Sequence, residues 1–305
     1  MKTKLLIVSG PTCVGKSKYS IQLAKKFNGE IVSCDSMQVY RGCDIVTAKI
    51  TESEMDNVPH YMIDIIDAKS DFSVSEFKDM AERCIEDITN RGKLAILVGG
   101  TGLYIDAIIK DFDFKNVSKN NQIREKYNKY LDEFGIDALY DLLKEKDNVL
   151  ASKINKNNTI RVIRALEAVD GGYLSTNDKK IKEEKYDYFY CVLNKDRDKL
   201  YKDINNRVDE IVQNGALYEV EKLLNSGVNF NNQCMKSIGY KEWEPYLKKE
   251  ATMESVIEKI KQNTRNYAKR QLTWFRHRSN VVFYDVEQKG FNNMLFKDVE
   301  LWLKK

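Results

Sequence analysis

Proline and histidine are almost missing from this chain, with Pro11, Pro59 and Pro245 the only prolines and His60 and His277 the only histidines among 305 residues. No internal repeat and no low-complexity tail interrupts it. The six cysteines, at 13, 34, 43, 84, 191 and 234, form no C-x-x-C pair and have only two histidines to help them. That excludes a disulfide framework or a zinc site and leaves the cysteines as small buried apolar residues. His60 and His277 read as structural polar contacts. No apolar run approaches the ~18 to 20 residues that span a bilayer. The apolar part of the opening "MKTKLLIVSGPT" is short for a signal peptide, so a cytoplasmic protein with no membrane partner is expected. A large excess of one charge is also lacking: the net charge of +4 does not by itself announce nucleic acid.

What the chain does have is alternation. Over the first hundred residues "KLLIVS", "EIVSCD", "HYMIDII" and "LAILVGG" read as strands, with helices from Lys16, over 73 to 91 and from Thr101 between and after them. This predicts an α/β fold, a parallel sheet flanked by helices, with ligands beyond the carboxyl ends of its strands. From about Lys115 to Lys185 the texture turns helical and rich in Lys and Asn. The strand "YFYCVLN" then returns the chain to the sheet, long helices follow over 196 to 226 and 252 to 278, and "NVVFYD" is the last strand. We therefore expect a core of residues 1–114 and 186–305 with an inserted all-helical lobe, 115–185.

"GPTCVGKS", residues 10 to 17, follows the first strand and fits G-x-x-x-x-G-K-[ST]. Gly10 and Gly15 let the backbone turn its N–H groups onto an anion, Lys16 adds a point charge, and the Ser17 hydroxyl can ligate Mg²⁺. The loop opens a helix whose N-terminus favours negative charge. The pattern says phosphate without saying phosphoryl transfer. Asp35 follows the second strand and faces that loop, either as a general base or as an aspartate bonded to its own turn. Thr101, in "VGGTGLY", can cap a helix or meet a substrate. After "LAILV" come glycines where many phosphate-loop NTPases place the acid that helps hold Mg²⁺, which disfavours ATP hydrolysis.

One basic stretch stands out. From Gln262 to Arg278, "QNTRNYAKRQLTWFRHR" carries five arginines and lysines and no acid. On a helix Lys261, Arg265, Lys269 and Arg276 fall within about 80° of one another, as a solvated face or a phosphate or RNA contact.

Together these segments resemble the tRNA dimethylallyltransferases, also called tRNA isopentenyltransferases. "GPTCVGKS" is similar to that family's G-P-T-A-x-G-K-[ST]. "SCDSMQVYRGCDIVTAK" is similar to D-S-x-Q-x-Y-x-x-x-D-I-x-T-A-K, and "VPHYMIDI", "LVGGTGLY", "RVIRALE", "SIGYKE" and "TRNYAKRQLTWFR" resemble family motifs in the family order. The resemblance covers nearly the whole chain and implies a phosphate-loop NTPase-like core. It implies transfer of a dimethylallyl group from dimethylallyl diphosphate to the exocyclic N6 amine of adenosine 37 of tRNA, beside the anticodon, by a monomer using Mg²⁺. The implied diphosphate site is Gly10, Pro11, Thr12, Cys13, Val14, Gly15, Lys16 and Ser17 with Arg207. Asp35, Thr101 and Lys16 are the implied catalytic residues. Asp35, Ser36, Met37, Gln38, Thr101, Arg124, Ile160, Arg161, Val162, Ile163 and Arg164 are implied to line the tRNA path. Within the basic stretch, Arg265 and Lys269 are expected to serve the active-site end, and Arg276 with Arg278 the tRNA or solvent.

The chain departs from the family in reading "TAKI" for T-A-K-P, Asp67-Ala68 for D-P and "NKNNTI" for H-P-N-D-P, and its end lacks the Cys and His of the zinc finger some relatives carry. Three rivals share parts of the pattern: an isopentenyltransferase acting on free adenine nucleotide, a small-molecule kinase, and an RNA-binding module with a degenerate phosphate loop.

Overall fold

The computed structural model describes residues 2–111, 121–172 and 185–305. In chain order the elements are β1 (Thr3–Ser9), α1 (Lys16–Lys26), β2 (Gly29–Ser33), α2 (Glu52–Met55), β3 (His60–Tyr61), α3 (Val74–Asn90), β4 (Leu94–Gly99), α4 (Gly102–Ile109), α5 (Asn121–Lys146), α6 (Asn148–Ser152) and α7 (Thr159–Asp170). They continue with β5 (Tyr186–Asn194), α8 (Arg197–Gln213), α9 (Ala216–Asn225), α10 (Glu244–Leu247), α11 (Met253–Arg276), β6 (Val282–Asp285) and α12 (Phe291–Leu303).

The chain divides into two compact units, Met1–Ile109 with Lys185–Lys305, and Lys110–Glu184. The expected junction at 114/115 lies outside the described residues. In the first unit the strands form one parallel sheet in the order β3-β2-β4-β1-β5-β6. Both faces are covered, so the middle of β1, Leu5 to Val8, is apolar and its side chains alternate between two cores. Leu5 and Ile7 join Phe77 and Ile85 of α3 on one face. Leu6 and Val8 join Ile21 and Leu23 of α1 and Leu295 and Val299 of α12 on the other. The second unit packs α5, α6 and α7 around Tyr127, Leu139, Leu143, Val162 and Leu166.

Three elements differ from expectation. "HYMIDII" is a strand only at His60 and Tyr61, because Met62 and Asp64 take positive φ and leave the extended region. The long helix expected over 196 to 226 is α8 and α9, separated at Gly215, whose φ is 101°. α12 was not anticipated, although Phe291, Leu295, Val299 and Trp302 recur at helical spacing and are its buried residues.

Candidate active site

The sheet order brings three loops to one edge. β4 lies between β1 and β2, with Ser9 paired to Gly99 and Ser33 to Val98. The phosphate loop after β1, Asp35 after β2 and Thr101 after β4 therefore leave adjacent strand ends. In the phosphate loop Gly15 takes φ 89° as the N-cap of α1, and no side chain caps that helix. The first amides of α1 are thus left to an anion. Val14 turns its side chain into the core, so the loop offers backbone there. Lys16 donates from Nζ to the Pro11 carbonyl at 2.7 Å. Burial lowers its ammonium to about 8; Asp35 opposes the shift and Arg207 adds to it.

Asp35 is bonded to its own turn through one carboxylate oxygen and leaves the other open. Its Oδ1 accepts from the amides of Met37 at 2.8 Å and Gln38 at 3.3 Å. Oδ2 has no hydrogen-bond partner among the described residues. Gln38 turns its own side chain to the Thr47 and Ala48 carbonyls. Thr101 sits beside the same strand end through its amide, which donates to the Cys34 carbonyl at 3.4 Å, and its hydroxyl meets the Tyr267 phenol.

Tyr267 belongs to α11, which packs its middle against these loops. Gln271 is 6% exposed. Its Oε1 accepts from the Thr12 amide at 2.9 Å, and its Nε2 donates to the Gly100 carbonyl at 3.0 Å, tying the phosphate loop to the β4 loop. The missing strand-end acid now has a physical reason. A Cβ at Gly99 would overlap the Cys34 carbonyl, and one at Gly100 would overlap the Gln271 amide. Burial and the Asp35 charge push the Tyr267 phenol up to about 12, against the hydrogen bond from Thr101.

Two openings meet here. A cavity of about 340 Å³ runs between α8 and α11, with an apolar lining that includes Met37, Val46, Ile204, Val208 and Ile260. A wider opening of about 1120 Å³ surrounds Gly15, Lys16 and Ser17. Thr12, Cys13, Asp35, Thr47, Arg207 and Ile211 line both. Arg207 reaches Cys13 Sγ at 4.0 Å and donates to the Ala48 carbonyl at 3.5 Å, and it has no carboxylate partner among the described residues.

The basic stretch divides differently from expectation. Arg270 lines the apolar cavity and lies over the Tyr267 ring, 5.7 Å from its centroid. Arg265 donates to Asn205 Oδ1 at 2.5 Å, and Lys269 lines a second groove, shared with Arg270, alongside Trp274, His277 and Arg278. Lys261 is paired with Asp209 of α8 at 2.8 Å, and Arg278 with the buried Asp106, so carboxylates from other elements compensate charges that look bare in the sequence. The every-third-residue spacing of Thr264, Tyr267 and Arg270, all cavity-lining, was the available signal.

The remaining predicted residues belong to the second unit. Arg124 donates to the buried Glu167 at 2.8 Å. In α7, Val162 and Ile163 point into that unit's core, which leaves Arg161, Arg164 and Ile160, 67% exposed, as the side chains offered to solvent.

The model of the IPP transferase family matches residues 38–278. A tRNA dimethylallyltransferase of Halalkalibacterium halodurans is 44% identical over 301 residues, 97% of this chain and 96% of the relative. One of Clostridioides difficile is 45% identical over 306 residues, covering 99% and 98%. Among solved structures, the full-length tRNA isopentenylpyrophosphate transferase of Bacillus halodurans aligns with a TM-score of 0.76 at 42% identity, covering 99% of this chain and 97% of the other. A eukaryotic dimethylallyltransferase acting on tRNA aligns with a TM-score of 0.82 at 31% identity, covering 96% and 77%.

Proposed function

The chain belongs to the IPP transferase family, and on that footing we propose that it transfers a dimethylallyl group from dimethylallyl diphosphate to N6 of adenosine 37 of tRNA, releasing diphosphate. The observation that carries the reading is the pair Asp35 and Arg207, which line both an apolar cavity and the phosphate-loop opening. A prenyl diphosphate has those two halves. Its anionic end suits the open α1 amides, Lys16 and Arg207, and its five-carbon end suits the apolar wall of Val46, Val208 and Ile260.

In the reaction the N6 lone pair forms a bond to C1 of the donor while the C1–O bond breaks and its electrons leave on diphosphate. A proton from N6 passes to Asp35, whose Oδ2 is open. Charge builds on the leaving group in the transition state, where inward amides and the two cations stabilise it most. Among the described residues no group of three or more His, Cys, Asp or Glu could hold a metal ion. The Ser17 hydroxyl, which lines the phosphate opening, is the group that would hold Mg²⁺. Bound there, Mg²⁺ would neutralise charge on the departing group.

The second unit, with Arg161 and Arg164 exposed, is assigned to the tRNA. The reading also takes the enzyme as a cytoplasmic monomer; no helix among the described residues is long and apolar enough to cross a membrane.

Incubation with dimethylallyl diphosphate and either unmodified tRNA or AMP, followed by nucleoside analysis, tests the reading. Prenylated adenosine in the tRNA arm is the expected result. Product from AMP alone would make this an adenine-nucleotide prenyltransferase, and ADP release in a parallel incubation with ATP, with no prenylation in either arm, would make it a kinase.

A further inference from the structure

α9 carries a buried acid that the reaction above does not use. Glu219 is 5% exposed. Its Oε2 accepts from the amides of Asp44 at 2.8 Å and Ile45 at 2.5 Å, and its Oε1 from the Val46 amide at 3.1 Å and the Tyr240 hydroxyl at 2.6 Å. Successive backbone N–H groups converging on one anion form a nest, the same device that phosphate loops use for their ligands. Here the protein fills a nest with its own carboxylate.

The segment so held enters the site directly. Val46 and Thr47 line the apolar cavity, while Asp44, Ile45, Thr47 and Ala48 line the phosphate opening. The Ala48 carbonyl receives Arg207 Nη2, and the Thr47 hydroxyl donates back to the Cys43 carbonyl at 2.6 Å. On the far side Gly239 lies so close to Val46 that a Cβ there would press on it, which closes that direction of movement. Residues 44–48 are therefore a partition between the two openings, pinned from beneath by Glu219 and topped by Arg207.

We infer that Glu219 is a positioning residue for the prenyl diphosphate: by filling the 44–46 nest it fixes the partition and the carbonyl that seats Arg207. This rests on the reading of Arg207 as a diphosphate contact. The acid is needed as an acid. A glutamine has one acceptor oxygen, and whichever way its amide is turned at least one of the three backbone N–H groups faces an NH₂.

The test is steady-state kinetics of Glu219→Gln, with active protein counted by titration. We expect the KM for dimethylallyl diphosphate to rise about tenfold and the KM for tRNA to stay within about twofold, the split expected when a donor contact is displaced. Arg207→Ala in the Glu219→Gln background should raise the donor KM less than it does in the wild type, because the two residues act on one seat. Glu30→Gln, which disrupts a buried acid bonded to Arg91, Lys93 and Tyr61 on the opposite end of β2, controls for lost stability and should leave both KM values alone.

An unchanged donor KM in folded Glu219→Gln, or fully multiplicative effects of the two substitutions, would overturn the proposal. If Arg207→Ala alone leaves the donor KM unchanged, the diphosphate reading has failed instead. Should Glu219→Gln not fold, Glu219→Asp keeps the charge one methylene short and is read the same way. Hydrogen exchange on the wild type is a further check: slow exchange of the amides of Asp44, Ile45 and Val46 supports the nest, and fast exchange refutes it.

Discussion

At the scale of single residues, Lys16 sets how the site answers to pH. Lys16 sits at about 8 because burial strips water from its ammonium. The free enzyme sheds that charge as pH rises past this value, whereas a neighbouring diphosphate would hold the proton on. The sign follows: donor affinity is at full strength below the Lys16 value and weakens above it, and near pH about 9 binding takes up close to one proton. Calorimetry of donor binding in buffers of different ionisation enthalpy counts that proton, and Lys16→Arg should abolish the uptake. Donor affinity that stays level across this range would remove Lys16 from the diphosphate. Asp35, the proposed base, permits a clean substitution. In Asp35→Asn the amide oxygen can still accept from Met37 and Gln38, so the turn survives while the open Oδ2 becomes an NH₂. We expect both substrates to bind and turnover at saturation to fall by ~10² or more, the usual scale for a positioned base. Single-turnover rates near the wild type would take the proton elsewhere.

At the scale of elements, α11 joins the loops that the strands only bring near. Gly100→Ala would drive a methyl into the Gln271 amide and should cost about 1 to 3 kcal/mol, as overpacking of a tight interior does. Adding Gln271→Ala removes the obstacle, so the double variant should melt above the sum of the two single losses; a strictly additive pair would mean that the contact is unimportant. This element also shows where sequence reading stopped. The phosphate loop and Asp35 were legible because a short local pattern dictates the backbone, and the strands because apolar runs in a doubly covered sheet have few other uses. Gln271 was not legible: its role lies in bonds to Thr12 and Gly100, both remote in sequence. The basic residues of α11 and just beyond it misled for the same reason, since Asp209, Asn205 and Asp106 reach Lys261, Arg265 and Arg278 from other elements. β3 ended early because positive φ at Met62 and Asp64 leaves no mark in hydropathy.

At the scale of the whole molecule the proposed donor site lies in one unit, whereas the residues proposed for the tRNA path are drawn from both. The residues proposed for the donor, Lys16, Ser17 and Arg207, all lie in the sheet unit, whereas the exposed Arg161 and Arg164 lie on α7 of the other, which has an apolar core of its own. A net charge of only +4 spread over the chain gives little general attraction for RNA, so a few placed cations must carry the phosphate contacts. Arg161→Ala with Arg164→Ala should therefore raise the tRNA KM and leave the donor KM unchanged. It should also flatten the salt dependence of tRNA binding, by a slope of roughly 0.7 to 0.9 for each arginine that meets a phosphate. Lys16→Ala should do the reverse, weakening the donor at an unchanged tRNA salt slope. Both α7 arginines are exposed, so their removal leaves the packing of Val162 and Leu166 intact and a melting curve should barely move. If the double α7 variant instead impaired donor use at saturating tRNA, or left the salt slope where it was, the assignment of this unit to the tRNA would fail while the chemistry assigned to Asp35 and Arg207 stood.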